Sequence, residues 1–189
     1  DIIRGLQGSN VRPEYRGGIG EQGVRYLRKF MEDGGTVITL GNTARFAIEH
    51  LGAPITNVIG NAERNVFSVP GSILRIAVES AHPIGYGMPP KADALFVNNG
   101  GFIPTQANAE GTTVIARYPN GPLLRSGWIT GEAKLRGMAA VLEVSRGKGR
   151  IILHTFRVQH RGQTWGTFKL LFNSIFYGPA MAGWPAVPT

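Results

Sequence analysis

This chain of 189 residues offers few groups that could act as nucleophiles, bases or metal ligands. It has no cysteine, which excludes disulfides, thiolate zinc sites and cysteine nucleophiles. Its four histidines are His50, His82, His154 and His160. On a continued strand His154 and His160 would share one face with Phe156 and Val158. Six residues of strand would separate them by ~20 Å, too far to share one metal. A bend would bring them closer, toward a ligand or substrate; the alternative is a structural, hydrogen-bonded role. Thr43 carries a hydroxyl, but a hydroxyl nucleophile needs a strong base beside it. Around Thr43, Glu132, His154 and His160 no spacing spells out a mechanism. Gly17, Gly18 and Gly20 do not follow a strand, so a dinucleotide reading is weak. Arg161 and Gln163 have the groups to hold a carboxylate or a sugar hydroxyl; the plain alternative is loop geometry.

The elements that must position these residues follow from hydrophobic periodicity. Residues 1–19 read as a loop with one helical turn. Residues 21–33 read as a helix with Val24, Leu27 and Met31 on one face. Gly34-Gly35 stops it. Thr36–Leu40 is a short apolar run, expected as a strand buried on both faces of a parallel sheet. A second helix follows over 44–51. Leu74, Ile76 and Val78 alternate as a strand, residues 82–90 form a Pro/Gly-rich loop, and residues 94–97 and 113–117 read as further strands. Residues 139–144 and 150–156 are β-rich runs joined by turn residues, which predicts a hairpin. A long helix starts near Thr164, with Trp165, Phe168, Phe172, Ile175 and Phe176 as its apolar face, and Gly178-Pro179 stops it. Helix, strand, turn and helix over 21–52 is the rhythm of a doubly wound sheet.

Composition bounds the rest. Hydrophobic residues make up 42% and charged residues 17%, which is a globular balance. No apolar run reaches the ~18 residues that a membrane-spanning helix requires. The net charge of +8 is uneven: residues 1–109 hold 10 Lys/Arg against 9 Asp/Glu, and residues 110–189 hold 10 against 3. A basic half can attract an acidic partner or polymer. The basic residues are scattered and no nucleic-acid-binding module is visible, so no nucleic-acid partner is expected.

Two stretches resemble a known domain type. Residues 23–41, ending in Thr36-Val37-Ile38-Thr39-Leu40-Gly41, resemble the helix and central strand that lead into the nucleophile turn of class I glutamine-amidotransferase-like domains, including the trehalose-utilisation-like group. Residues 147–153 with residues 161–173 resemble the final strand and helix of the same domains. Together with His82-Pro83-Ile84-Gly85-Tyr86-Gly87-Met88-Pro89, they are similar to the C-terminal domain of large bacterial zinc carboxypeptidases of the carboxypeptidase A type.

The resemblance implies an α/β, three-layer flavodoxin-like fold. Its sheet would be mostly parallel, with a C-terminal hairpin and helix, and a first strand would precede residue 1. It implies one domain over 1–178, truncated at its N-terminus, and a Pro/Ala-rich tail over 179–189. At the nucleophile turn, where an active amidotransferase carries cysteine, this chain has Gly41-Asn42-Thr43, a degenerate version without catalytic residues. The family's zinc pair, a His followed three residues later by Glu, occurs at none of the four histidines. No cofactor is therefore expected in this chain, and zinc would lie in the parent protein. In this fold ligands bind beyond the carboxyl ends of the strands. That makes Asn42, Thr43, Asn98, Asn99, His160, Arg161 and Gln163 the candidate ligand-binding rim. The expected role is a non-catalytic accessory or assembly domain of a secreted or periplasmic zinc carboxypeptidase. Its partner would be the N-terminal peptidase domain of the same protein, with a homo-oligomer as a further possibility. The alternative is a module that binds a small polar or carbohydrate ligand at the rim.

Overall fold

A computed structural model describes residues 2–6, 8–57, 59, 62–97, 105–107 and 111–180, with backbone alone for 105–107. Helix α1 spans Gly20–Glu32, strand β1 Thr36–Leu40 and helix α2 Thr43–His50. Strands β2 (Ile55–Asn57), β3 (Ser72–Val78), β4 (Lys91–Phe96), β5 (Thr105–Ala107), β6 (Thr112–Arg117) and β7 (Leu124–Ser126) follow. Strands β8 (Ala139–Arg146) and β9 (Gly149–His154) form the predicted hairpin, and helix α3 spans Trp165–Ala180. The described residues before α1 form loop and one 3-10 turn, Pro13–Tyr15.

The main sheet runs β1-β9-β8-β6-β3-β4, with β2, β5 and β7 paired at its margins. It is mixed and mostly antiparallel, which corrects the expectation of a mostly parallel sheet. Only β1 pairs in parallel, with β9, in the register Thr36↔Arg150 to Leu40↔His154. The other described pairs are antiparallel. The reason is connectivity. A parallel return needs a crossover of a dozen residues or more, usually a helix, and none of the described residues between β3 and β9 forms an α-helix. At β8–β9 only Gly147 and Lys148 lie between the strands, so the chain must reverse.

Helices cover both faces. Along β9, Ile151 and Leu153 join Met31, Ala44, Ala47 and Leu51 under α1 and α2. Ile152 joins Phe96, Tyr118, Phe156 and Leu170 on the α3 side. Val24 and Met31 are buried and Leu27 is partly buried, as the α1 periodicity predicts. Gly149 sets the distance between the hairpin and the end of α1. A Cβ there would lie 2.0 Å from the Met31 carbonyl oxygen and 2.3 Å from that of Gly35.

Helix α3 departs from expectation twice. It continues through Gly178 and Pro179 to Ala180. Proline is tolerated there because its clash falls on a single carbonyl of the last turns. Its buried residues are Thr167, Leu170, Ser174 and Gly178. Of the predicted apolar face, Trp165, Phe172, Ile175 and Phe176 are 79, 54, 49 and 73% exposed, and Phe168 is partly buried. The small residues win the inner face because the helix lies close on the sheet. A Cβ at Gly178 would meet Thr36 side-chain atoms at 3.0–3.1 Å.

Candidate functional site

The degenerate turn sits where β1 ends. Gly41 takes φ 55°, and its N–H donates to the His154 carbonyl at 2.8 Å, tying the turn to β9. The Thr43 hydroxyl accepts from the Leu40 N–H at 2.7 Å and donates to the Leu40 carbonyl at 3.0 Å. Both its donor and an acceptor site are spent on the end of its own strand. His50 is the nearest histidine in sequence, seven residues along α2, a rise of about 10 Å. That is beyond hydrogen-bond reach, and among the described residues no histidine or carboxylate hydrogen-bonds to the Thr43 hydroxyl, which a nucleophile would need.

Beside this turn lies an open cleft of about 650 Å³, lined by Arg4, Glu21, Asn42, Arg45, Glu49 and His50 among others. Part of its charge is internally committed. Arg45 Nε pairs with Glu49 Oε1 at 2.6 Å. Asn42 is exposed at its mouth. The cleft is polar enough to hold a small polar molecule, and it contains no assembled nucleophile and base.

The remaining rim residues do not join it. Asn98 and Asn99 lie outside the described residues. After β9 the chain crosses the sheet: the Arg157 N–H donates to the Leu95 carbonyl at 3.2 Å. Thr164 Oγ1 donates to the Asp93 carbonyl at 3.1 Å. The turn carrying His160, Arg161 and Gln163 is therefore held near β4, whereas Asn42 and Thr43 sit at β1, the opposite edge. His160 and Gln163 close this turn through two backbone bonds of 2.9 and 2.8 Å. Arg161 and Gly162 take the left-handed conformations at its tip. His160 Nδ1 lies 3.0 Å from Arg157 Nη1. The single rim of the sequence reading is thus divided between two edges.

His154 is fully buried, with Nε2 3.1 Å from Ser174 Oγ. The Ser174 hydroxyl already donates to the Leu170 carbonyl at 2.7 Å. The imidazole must therefore donate from Nε2, which leaves Nδ1 as a bare lone pair. That atom is buried without a partner. Desolvation lowers the His154 pKa to about 3, so the ring is neutral and supports α3 on β9.

A second polar cluster lies under α3, and the sequence reading did not find it. His82 Nδ1 accepts from the Ile84 N–H at 3.2 Å, and its Nε2 lies 3.3 Å from Glu143 Oε2. Glu143 Oε1 accepts from Arg150 Nη1 at 2.8 Å. The Arg150 guanidinium lies 4.9 Å from the centre of the Tyr177 ring, and the His82 ring meets Tyr177 edge-on at 5.5 Å. Burial is the main cause that raises the Tyr177 pKa, followed by Glu143. Both His82 ring nitrogens are occupied, so no lone pair remains for a substrate proton. The cluster ties the hairpin, the 82–85 turn and α3 together. Glu143 and Arg150 could have been paired from the hairpin alone, since Ser145↔Arg150 places Glu143 diagonally on the same face. His82 and Tyr177 carry no such local signal. Among the described residues no three His, Asp or Glu converge as metal ligands.

No family model and no curated protein sequence matches the chain. Solved structures do match in fold. A GMP synthase-like protein from Thermoplasma acidophilum aligns with TM-score 0.50 at 12% identity, over 84% of this chain and 65% of that one. A β-galactosidase from Bacillus circulans aligns with TM-score 0.50 at 12% identity, over 84% of this chain and 21% of that one. A ThuA-like protein from Parabacteroides merdae aligns with TM-score 0.49 at 12% identity, over 88% of this chain and 69% of that one. The chain thus spans less than two thirds of the first of these neighbours. Its fold is α/β, built on a mixed, mostly antiparallel sheet with a C-terminal helix, and is similar to that of the GMP synthase-like protein.

Proposed function

We propose that this chain is a non-catalytic assembly domain of a larger, exported zinc carboxypeptidase, docked against that protein's peptidase domain. The observation that carries the non-catalytic half is the Thr43 hydroxyl, bound at 2.7 and 3.0 Å to the strand that precedes it. A turn that lacks cysteine and whose hydroxyl hydrogen-bonds to no base among the described residues supports a non-catalytic role. Among the described residues no three His, Asp or Glu could hold a zinc ion, and the proposal places the metal in the peptidase domain. The carboxypeptidase parent rests on the resemblance of residues 23–41, 82–89 and 147–173. The β-galactosidase neighbour adds that this fold can be one part of a much longer chain.

The test is native and denaturing mass of the protein purified from its source, with metal analysis. The proposal expects the chain within, or bound to, a larger species carrying one zinc per chain. A lone species of 20.4 kDa without zinc, or ester or amide turnover that disappears in Thr43→Ala, overturns it.

One observation favours a second reading. The cleft of about 650 Å³ beside Asn42 suits a small polar or carbohydrate ligand. That reading expects Asn42→Ala to weaken binding of such a ligand at least tenfold without changing the melting temperature.

A further inference from the structure

From the outer face of α3 we infer that this helix docks against a partner helix whose apolar seam is bordered by carboxylates. This gives the assembly reading its contact surface and rests on that reading. Four observations carry it. First, Trp165, Phe172, Ile175 and Phe176 are 79, 54, 49 and 73% exposed. Tyr86, 75% exposed, flanks them, because Asn173 Nδ2 donates to its carbonyl at 2.9 Å.

Second, the area is that of an interface. Aromatic side chains present about 150–250 Å² each, so this ridge exposes on the order of 600 Å² of apolar surface. A specific interface takes roughly 800 Å² from each partner. A patch of this size on a free surface marks an interaction site.

Third, the spacing selects the occupant. Trp165, Phe168, Phe172, Ile175 and Pro179 follow one another at intervals of three, four, three and four residues. That is the a/d pattern of a helix seam that packs against another helix at a shallow angle. The ridge continues into an apolar hollow of about 360 Å³, where Ile175 and Pro179 face Phe30 of α1.

Fourth, the charge selects the border. No acidic residue follows Glu143 in the chain, whereas Arg161 and Lys169 are exposed on and beside α3. Asp93, which Thr164 reaches, has its carboxylate 3.5 Å from Arg125. A second copy of this chain would bring like charges together. A seam flanked by Glu or Asp complements the ridge.

The probe is a labelled 21-residue peptide with Leu at a and d and Glu at e and g, titrated with the full chain. Its twin carries Lys in place of every Glu. The expected result is saturable binding of the Glu peptide and at least tenfold weaker binding of the Lys twin. The double variant Phe172→Ser/Phe176→Ser should bind the Glu peptide at least tenfold more weakly, with an unchanged melting temperature. Absent binding, equal binding of the twins, or full binding by the variant overturns the inference. So does a dimer in sedimentation that the variant dissolves, which assigns the ridge to a second copy. Binding to vesicles with one quarter phosphatidylglycerol, lost in the variant and without peptide binding, also overturns it. If the ridge fails while the chain is still recovered within a zinc-bearing species, the assembly reading stands and its contact lies elsewhere.

Discussion

Helices α1 and α3 each carry an apolar stripe and use it in opposite ways. In α1 the stripe Val24, Leu27, Met31 turns inward, and Tyr26 and Phe30 are left 66 and 54% exposed. In α3 the large aromatic stripe turns outward, and Thr167, Leu170, Ser174 and Gly178 pack on the sheet. Periodicity states that a face is apolar; it does not state what covers that face. On α3 the inner face is chosen by closeness and polarity. Gly178 admits Thr36, Ser174 bonds His154, and Thr167 Oγ1 donates to the Val158 carbonyl at 2.7 Å. An outer face of three aromatics serves as a surface for something else.

The largest effect expected from this contrast is acid lability at the α3–β9 contact. His154 is neutral in the fold, with a pKa lowered to about 3, against about 6.5 in the unfolded chain. The unfolded chain takes up the proton first, so this contribution is whole above pH 6.5 and is lost as pH falls toward 3. Its size is on the order of 5 kcal/mol. Unfolding free energies measured from pH 7 to 4 should fall more steeply for the native chain than for His154→Leu. Parallel profiles would show that the ring is solvated after all.

Next come the buried apolar contacts. Met31→Ala on α1 and Leu170→Ala on α3 should each cost about 2–5 kcal/mol in denaturant titration. Phe176→Ser on the outer face of α3 should stay within about 0.5 kcal/mol. A large loss at Phe176 would mean that the ridge is covered within the chain itself, and the comparison would collapse. A loss between these is expected at Gly178→Ala, about 1 kcal/mol, because Thr36 must give way by a few tenths of an ångström. A gain in helix propensity opposes that loss, so a stabilised variant would show that α3 can lift from β1.

Much of the local structure was legible. β1 begins and ends where the run Thr36–Leu40 does, α1 ends just before Gly34-Gly35, and the hairpin turns at Gly147-Lys148. These are contacts within a few residues, governed by backbone preference and side-chain spacing. The Asn42-Thr43 turn was legible for the same reason, and its lack of cysteine is read from the sequence directly. The candidate rim was not. Its pieces were gathered on the assumption that the strands run parallel, and the segment after β9 crosses the sheet and carries the 160–163 turn to β4 at the far edge.

By itself the sequence determined the absence of thiol chemistry, the α/β class, the principal helices and strands and the excess of positive charge, because each depends on residue type or on short-range periodicity. Tertiary structure alone decided strand direction, the union of His82, Glu143, Arg150 and Tyr177, and the burial of His154. It also decided which face of α3 meets the sheet. Those depend on which distant segments come together, and a close-packed interior selects among faces by fit as much as by hydrophobicity.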